Sequence, residues 1–287
     1  MTADATLRDV SDTALVTAAA RARETERPRS LFRDPYAAPL AGDRGRQLAR
    51  RLRYRISSSG IVARTAVLDE LILDTVNRHG LRYVLNLGAG LDTRPYRLSF
   101  PAHLCWVEAD QPAILEHKAA LLDHEQPRCH LERVVVDLGD PAARGALFDR
   151  IPTGEPTLVL TEGVLMYLQE DDVVGLSAEL ASRPHFCWWA VDLIGTAFVP
   201  WANRLGGRRL STAEVAFRFV PKEGSEFFRP LGWEPVEVRH SWLEQRRLGC
   251  ERRWMRAAWV AAPRRLRDDL AAMGVFMLLR RSASASP

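Results

Sequence analysis

Arg82-Tyr-Val-Leu-Asn-Leu-Gly-Ala-Gly-Leu-Asp-Thr-Arg94 is where the chain changes its grammar. The first six residues are a short, largely apolar run of the kind that becomes a buried strand. Gly88 and Gly90 then allow a tight turn and close approach of a ligand to the backbone. Upstream the periodicity is helical. Residues 12–23 are rich in Ala and entered at a Ser/Asp cap, a second helix is expected over 36–53 and a third over 61–78. In the third, Ile61, Leu68, Leu71, Ile72 and Val76 share one stripe, and Gly80 ends it. Between the first two, Asp34 precedes Pro35, which disfavours helix at that point.

Downstream, apolar strands at 104–107, 134–136, 157–160 and 186–191 alternate with helical stretches near 111–123, 141–150 and 170–182. Two further strands are expected at 233–238 and 275–279. This pattern predicts an α/β, Rossmann-like, doubly wound and mostly parallel seven-stranded sheet with N-terminal helices and a helical cap. Residues 1–80 are read as a helical segment contributing to the cap and the site. Residues 81–287 are read as the main domain, with 193–224 and 241–267 as substrate-cap insertions.

The chain has 287 residues and is 47% hydrophobic and 26% charged, enough for a sizeable core without metal or disulfide staples. Its longest clean apolar stretch, 270–279, is ten residues, far short of the ~18 of a membrane span. No signal peptide is visible at the start, so a soluble, cytoplasmic protein is expected, with no membrane partner. Cys105, Cys129, Cys187 and Cys250 form no C-x-x-C pair and read as reduced thiols. The seven histidines have no ligand spacing, so no metal is expected. Residues 1–60 carry a net +5, 61–200 a net −9 and 201–287 a net +8. The basic ends lack interleaved aromatics or a recognition motif, so nucleic acid is not the expected partner. A solvated face, or a basic cap over a small anionic substrate, accounts for them.

Four of the first five expected strands end at or beside an acid: Glu108 and Asp110, Asp137, Glu162, and Asp192. Ligands of open parallel sheets bind beyond these carboxyl ends. A dinucleotide fingerprint needs a third glycine where Thr93 stands, and the Gly-Lys-Ser/Thr of a P-loop is absent. A nucleoside-type ligand remains, its ribose held by a carboxylate about twenty residues past the glycines. S-adenosylmethionine and a nicotinamide nucleotide both fit, and Thr93 favours the former.

The run from Val84 to Leu98 closely resembles the signature of the leucine carboxyl methyltransferase family, which includes tetracenomycin-type polyketide O-methyltransferases of bacteria. Val107-Glu-Ala-Asp-Gln-Pro112, Val136-Asp-Leu138 and Thr161-Glu-Gly-Val-Leu-Met-Tyr-Leu168 match in order. Upstream, Arg21-Ala-Arg-Glu-Thr25, Asp34-Pro-Tyr36 and Ala63-Arg-Thr65 do so too. The resemblance spans about residues 12–192 and fades over 193–287. It implies S-adenosylmethionine as cofactor, with Gly88 and Gly90 along its methionine portion and Asp110 on the ribose hydroxyls. Asp137 and Leu138 would flank the adenine, and Glu162 would face the amino group or the sulfonium. Arg64, with Arg21 or its neighbour Arg23, would meet the carboxylate.

The implied activity is O-methylation of a carboxylate, or of a phenol or hydroxyl, on a small anionic or aromatic secondary metabolite. An ionised carboxylate needs no general base, and no catalytic residue is assigned. His185 and His240 are the candidates were a base required. The stretch 241–267, with its eight arginines and Trp242, Trp254 and Trp259, is read as part of the cap; a surface helix pair with core tryptophans is the alternative. A nicotinamide-dependent oxidoreductase and a non-catalytic cofactor-binding protein remain the competing functions.

Overall fold

The computed structural model describes residues 10–51, 58–198, 217–251, 253–271 and 273–282. Seven strands form one sheet: β1 (Tyr83–Leu87), β2 (Cys105–Asp110), β3 (His130–Val135), β4 (Thr157–Thr161), β5 (Phe186–Ile194), β6 (Trp233–His240) and β7 (Gly274–Arg281). Their spatial order is β3-β2-β1-β4-β5-β7-β6, and only β7 runs against the rest. The mostly parallel sheet expected from the alternation of runs is thus present. β2 and β3 differ in extent from the apolar runs. β2 continues through Glu108 to Asp110 because Glu108 is neutralised inside the fold. β3 begins four residues early, at His130: it is an edge strand whose half-exposed faces tolerate Glu132 and Arg133.

Ten helices flank the sheet among the described residues. They are α1 (Val10–Thr25), α2 (Ala37–Arg51), α3 (Ser58–His79), α4 (Arg94–Arg97), α5 (Pro112–Leu122), α6 (Pro141–Phe148), α7 (Glu170–Ala181), α8 (Ser241–Arg247), α9 (Arg253–Ala261) and α10 (Arg264–Ala271). On one face Val67, Leu68, Leu71 and Ile72 of α3 pack on Val84, Trp106, Leu158, Leu160 and Ala190, so α3 is part of the central core. The opposite face is covered by Leu147 and Phe148 of α6, Val173, Leu176 and Leu180 of α7, and Phe228. Here Trp189 and Trp233 are fully buried, ring centroids 5.4 Å apart, and each indole N–H is satisfied, by Thr161 Oγ1 at 3.0 Å and the Ser177 carbonyl at 3.1 Å. A third cluster joins Ala18 and Ala19 of α1 and Leu40 of α2 to Leu91, Tyr96 and Ile114, which fixes α1 over the end of β1. All four cysteines are free thiols. No described helix is long and apolar enough to cross a membrane.

Candidate functional site

Beyond the carboxyl ends of β1 to β4, under α1, lies a cavity of about 610 Å³. The eight residues singled out in the sequence, Arg21, Arg64, Gly88, Gly90, Asp110, Asp137, Leu138 and Glu162, all line it. The turn after β1 is pinned to β2, with the N–H groups of Gly88 and Ala89 donating to the Ala109 carbonyl at 2.8 and 3.2 Å. Gly88 has φ +66°, and a Cβ there would collide with the Val164 side chain, so the bare backbone is required. Asp110 closes the turn from the far side. Its Oδ2 accepts from the Gly90 N–H at 2.6 Å and its Oδ1 from the Gln111 N–H at 2.7 Å. Burial pushes the Asp110 carboxyl up, and these backbone donors oppose the shift.

The acids two residues apart on β2 have different fates. Asp110 reaches the cavity, whereas Glu108 is fully buried and pairs with Lys118 Nζ at 2.6 Å and Arg133 Nε at 3.1 Å. Arg21 and Arg23 also part in space: Arg21 is buried in the cavity wall and Arg23 is exposed. Asp34 Oδ2 accepts from Arg21 Nε at 2.9 Å and from Thr93 Oγ1 at 2.7 Å, and Arg21 Nη2 donates to the Leu91 carbonyl. Thr93, in place of a third glycine, is therefore the anchor by which the α1–α2 segment is tied to the turn.

A buried ionic network runs behind the cavity. Arg94 donates to Asp69 Oδ1 (2.7 Å), Asp92 Oδ2 (2.8 Å) and Glu162 Oε2 (2.7 Å), and its side chain is 2% exposed. Arg64 Nε lies 2.9 Å from Glu162 Oε1, off the line of its N–H, and its Nη1 donates to Asp192 Oδ2 at 3.1 Å. Burial alone would raise the Glu162 carboxyl, but the guanidiniums of Arg94 and Arg64 outweigh it and hold it below the ordinary range. Asp92 behaves in the same way under Arg94, well below that range. Asp192 goes the other way: burial raises it despite Arg64 and the Gly163 N–H at 2.6 Å. Asp69, Asp92, Arg94 and Asp192 had no role assigned from sequence. The available signals were the place of Asp192 at a strand end and an arginine closing the glycine turn at Arg94.

Neither histidine candidate lies at the cavity. His185 precedes β5 at the opposite end of the sheet, and His240 sits at the end of edge strand β6, its Nδ1 3.2 Å from the Ala271 carbonyl. The cap expectation divides. Residues 199–216 of the 193–224 stretch lie outside the described residues, as does Arg252. Phe217 stacks on the cavity residue Tyr167 with centroids 6.2 Å apart, and the Arg218 N–H donates to the Met166 carbonyl at 2.8 Å. No described residue of 241–267 lines the cavity. Its groups satisfy one another instead: Trp242 stacks on Trp259, Arg246 and Arg267 cover the Trp259 ring, and Gln245 accepts from Ser59 Oγ of α3 at 2.7 Å. No group of three or more metal-ligating side chains occurs among the described residues.

A profile of the leucine carboxyl methyltransferase family matches residues 14–181. A protein of Streptomyces coelicolor described as an inferred S-adenosyl-L-methionine-dependent methyltransferase is 39% identical over 185 residues, 60% of this chain and 64% of that protein. The match thus spans less than two thirds of that relative's length. A protein of Mycolicibacterium smegmatis with the same description is 33% identical over 260 residues, 81% of this chain and 85% of the relative. Among solved structures the fold is similar to a DUF574 family protein from Streptomyces avermitilis, with TM-score 0.61, 17% identity, and coverage of 92% of this chain and 97% of that one. It is also similar to a methyltransferase assigned by inference from Thermobifida fusca, with TM-score 0.62, 18% identity and 94% of each chain covered.

Proposed function

The chain belongs to the leucine carboxyl methyltransferase family, and from that premise we propose that it is an S-adenosylmethionine-dependent O-methyltransferase acting on a small secondary metabolite. The observation that carries the reading is the convergence, in one cavity, of residues from α1, α3 and the ends of four strands whose charges mirror those of the cofactor. Two features of the wall suit that ligand. Arg64 and Glu162 stand side by side on it, Nε and Oε1 2.9 Å apart, a cation and an anion for the ligand's carboxylate and ammonium. Gly88 leaves no room for a side chain beneath the methionine portion.

In this assignment Arg64 and Arg21 hold the cofactor carboxylate, and Glu162, kept ionised by two guanidiniums, faces its ammonium. Asp110 retains free lone pairs for the ribose hydroxyls, since each of its oxygens carries one backbone bond. Asp137 and Leu138 flank the adenine. When bound, S-adenosylmethionine supplies an activated methyl group for in-line displacement. The protein's part is to align the acceptor oxygen and exclude water. Thr13 and Thr17 of α1, with Met166 and Tyr167, give a mixed hydroxyl and apolar wall suited to a flat acceptor.

A carboxylate is the acceptor favoured here, with a phenol or hydroxyl second. Among the described residues no histidine lines the cavity, and Glu162 and Asp110 are already engaged. An acceptor that arrives ionised makes no demand for a base.

Calorimetric titration with S-adenosylhomocysteine tests this, with NAD in parallel and Asp110→Ala as the specificity control. Binding on the order of micromolar, weakened about ten-fold or more in the variant, is expected. Cofactor-free protein that ignores S-adenosylhomocysteine and takes NAD would overturn the reading.

A further inference from the structure

The loop between β3 and α6 carries Asp137 and Leu138 into the cavity, yet its bracing comes from a side chain outside the cavity. Arg144, in the first turns of α6, has a side chain only 3% exposed. Its Nε and Nη2 form a fork on Glu179 of α7, at 3.0 and 2.6 Å, and its Nη1 donates to the Leu138 carbonyl at 2.6 Å. The peptide that bears this carbonyl is held at its other end as well: the Gly139 N–H donates to Asp137 Oδ1 at 2.9 Å. A continuous chain therefore runs from Glu179 through Arg144 and the 138–139 peptide to the Asp137 carboxylate. The Val136 N–H ties the start of the loop to the Asp110 carbonyl at 3.0 Å, and past Asp137 the remaining ties are local, Asp140 N–H to the Asp137 carbonyl and Ala142 N–H to Asp140 Oδ1.

We propose that Arg144, braced by Glu179, is a positioning residue that sets the Asp137 carboxylate for an amino-bearing purine and against a 6-oxo purine. This rests on the S-adenosylmethionine reading above. A guanidinium fork is rigid and fully charged, so the carbonyl it grips fixes the plane of the following peptide. That peptide's N–H takes one oxygen of Asp137 and turns the other outward as a pure acceptor. An exocyclic amine donates to such an oxygen, whereas the 6-oxo group of hypoxanthine meets it acceptor to acceptor. Discrimination between the two bases is then a property of how firmly the carboxylate is held, because a loose carboxylate swings aside from the repulsive partner. Arg144 does not line the cavity and touches no ligand itself.

The test compares the affinities of S-adenosylhomocysteine and its 6-oxo analogue, S-inosylhomocysteine, for wild type, Arg144→Gln, Arg144→Lys and Glu179→Gln, with ligand-free melting temperatures alongside. Wild type is expected to favour the adenine ligand. The ratio should contract roughly ten-fold in Arg144→Gln, the scale of one charge-assisted hydrogen bond, and by less in Arg144→Lys. Glu179→Gln, altering a partly exposed partner, supplies the same measurement should Arg144→Gln fail to fold, and its ratio should also contract. An unchanged ratio, or a parallel weakening of both ligands, would mean that the clamp serves only the fold and would overturn the proposal. If wild type binds neither ligand, the cofactor assignment itself falls and takes this inference with it.

Discussion

Two regions of this molecule are dense in arginine and carboxylate, and they use them in opposite ways. Behind the carboxyl ends of β1, β4 and β5, Arg94 and Arg64 are withdrawn from water and shared among Asp69, Asp92, Glu162 and Asp192. In α8 to α10 the arginines with described side chains are at least partly exposed and meet partners near the surface: Arg247 takes Glu244 and Glu70, Arg256 takes Glu251, and Arg246 and Arg267 cover the ring of Trp259. The number of charges in a stretch of sequence therefore says little about function. What counts is whether strand ends and helix starts hold the charge where water is scarce and a ligand can replace it.

Removing one member of the buried network should have the largest effect. Arg94→Met takes one guanidinium from Asp69 and Glu162 and leaves Asp92 without one, and is expected to cost about 3–5 kcal/mol in denaturant unfolding; a loss below about 1 kcal/mol would erase the contrast between the regions. Gly88→Ala comes next, since it forces a side chain onto a positive φ and into Val164. About 1–3 kcal/mol of stability should go, together with S-adenosylhomocysteine binding measured by calorimetry.

Acid titration sharpens the comparison further. The folded pKa of Glu162 lies below its unfolded value, so its stabilisation is complete above the ordinary carboxylate range of about 4 and drains away as pH falls through the folded value. Glu162→Gln should accordingly flatten the loss of stability below about pH 4, followed by circular dichroism in urea at stepped pH. Burial raises Asp192, so it acts in reverse, favouring the fold as it takes up a proton. In the surface region the expected effect is the smallest. Arg256→Ala should change stability by less than about 0.5 kcal/mol and leave S-adenosylhomocysteine affinity where it was.

The same distinction governs what the sequence could tell. Continuous apolar runs mark β1, β4 and β5 because those strands are covered on both faces. β3 was legible only at its end, since an edge strand can carry His130, Glu132 and Arg133. The eight cavity residues fall in short blocks at strand ends or on helical faces, where local pattern and function coincide. Arg21 and Arg23 could not be separated by block matching, although two positions apart on a helix they point about 200° apart and only one can face inward. Asp69 and Arg144 carried no local sign. Each acquires meaning from a partner on another element, Arg94 and the Leu138 carbonyl respectively, and the tertiary fold alone makes those pairings. The Trp-rich stretch at 241–267 shows the converse, because aromatic and basic residues that satisfy one another look, in sequence, like residues awaiting a ligand.

The strand order has a consequence for how the molecule is made. β7 follows the other six strands of the sheet in the chain, yet it lies between β5 and β6 and pairs with both along its length. Until Gly274–Arg281 has emerged, the nascent chain holds β5 with one open edge and β6 with no neighbour in the sheet. The parallel half can assemble during synthesis, but completion waits for this wedge, which enters against the direction of every other strand. A translational pause between β6 and β7 would prolong exposure of two sticky edges, so the tempo of synthesis over that interval bears directly on the yield of folded protein.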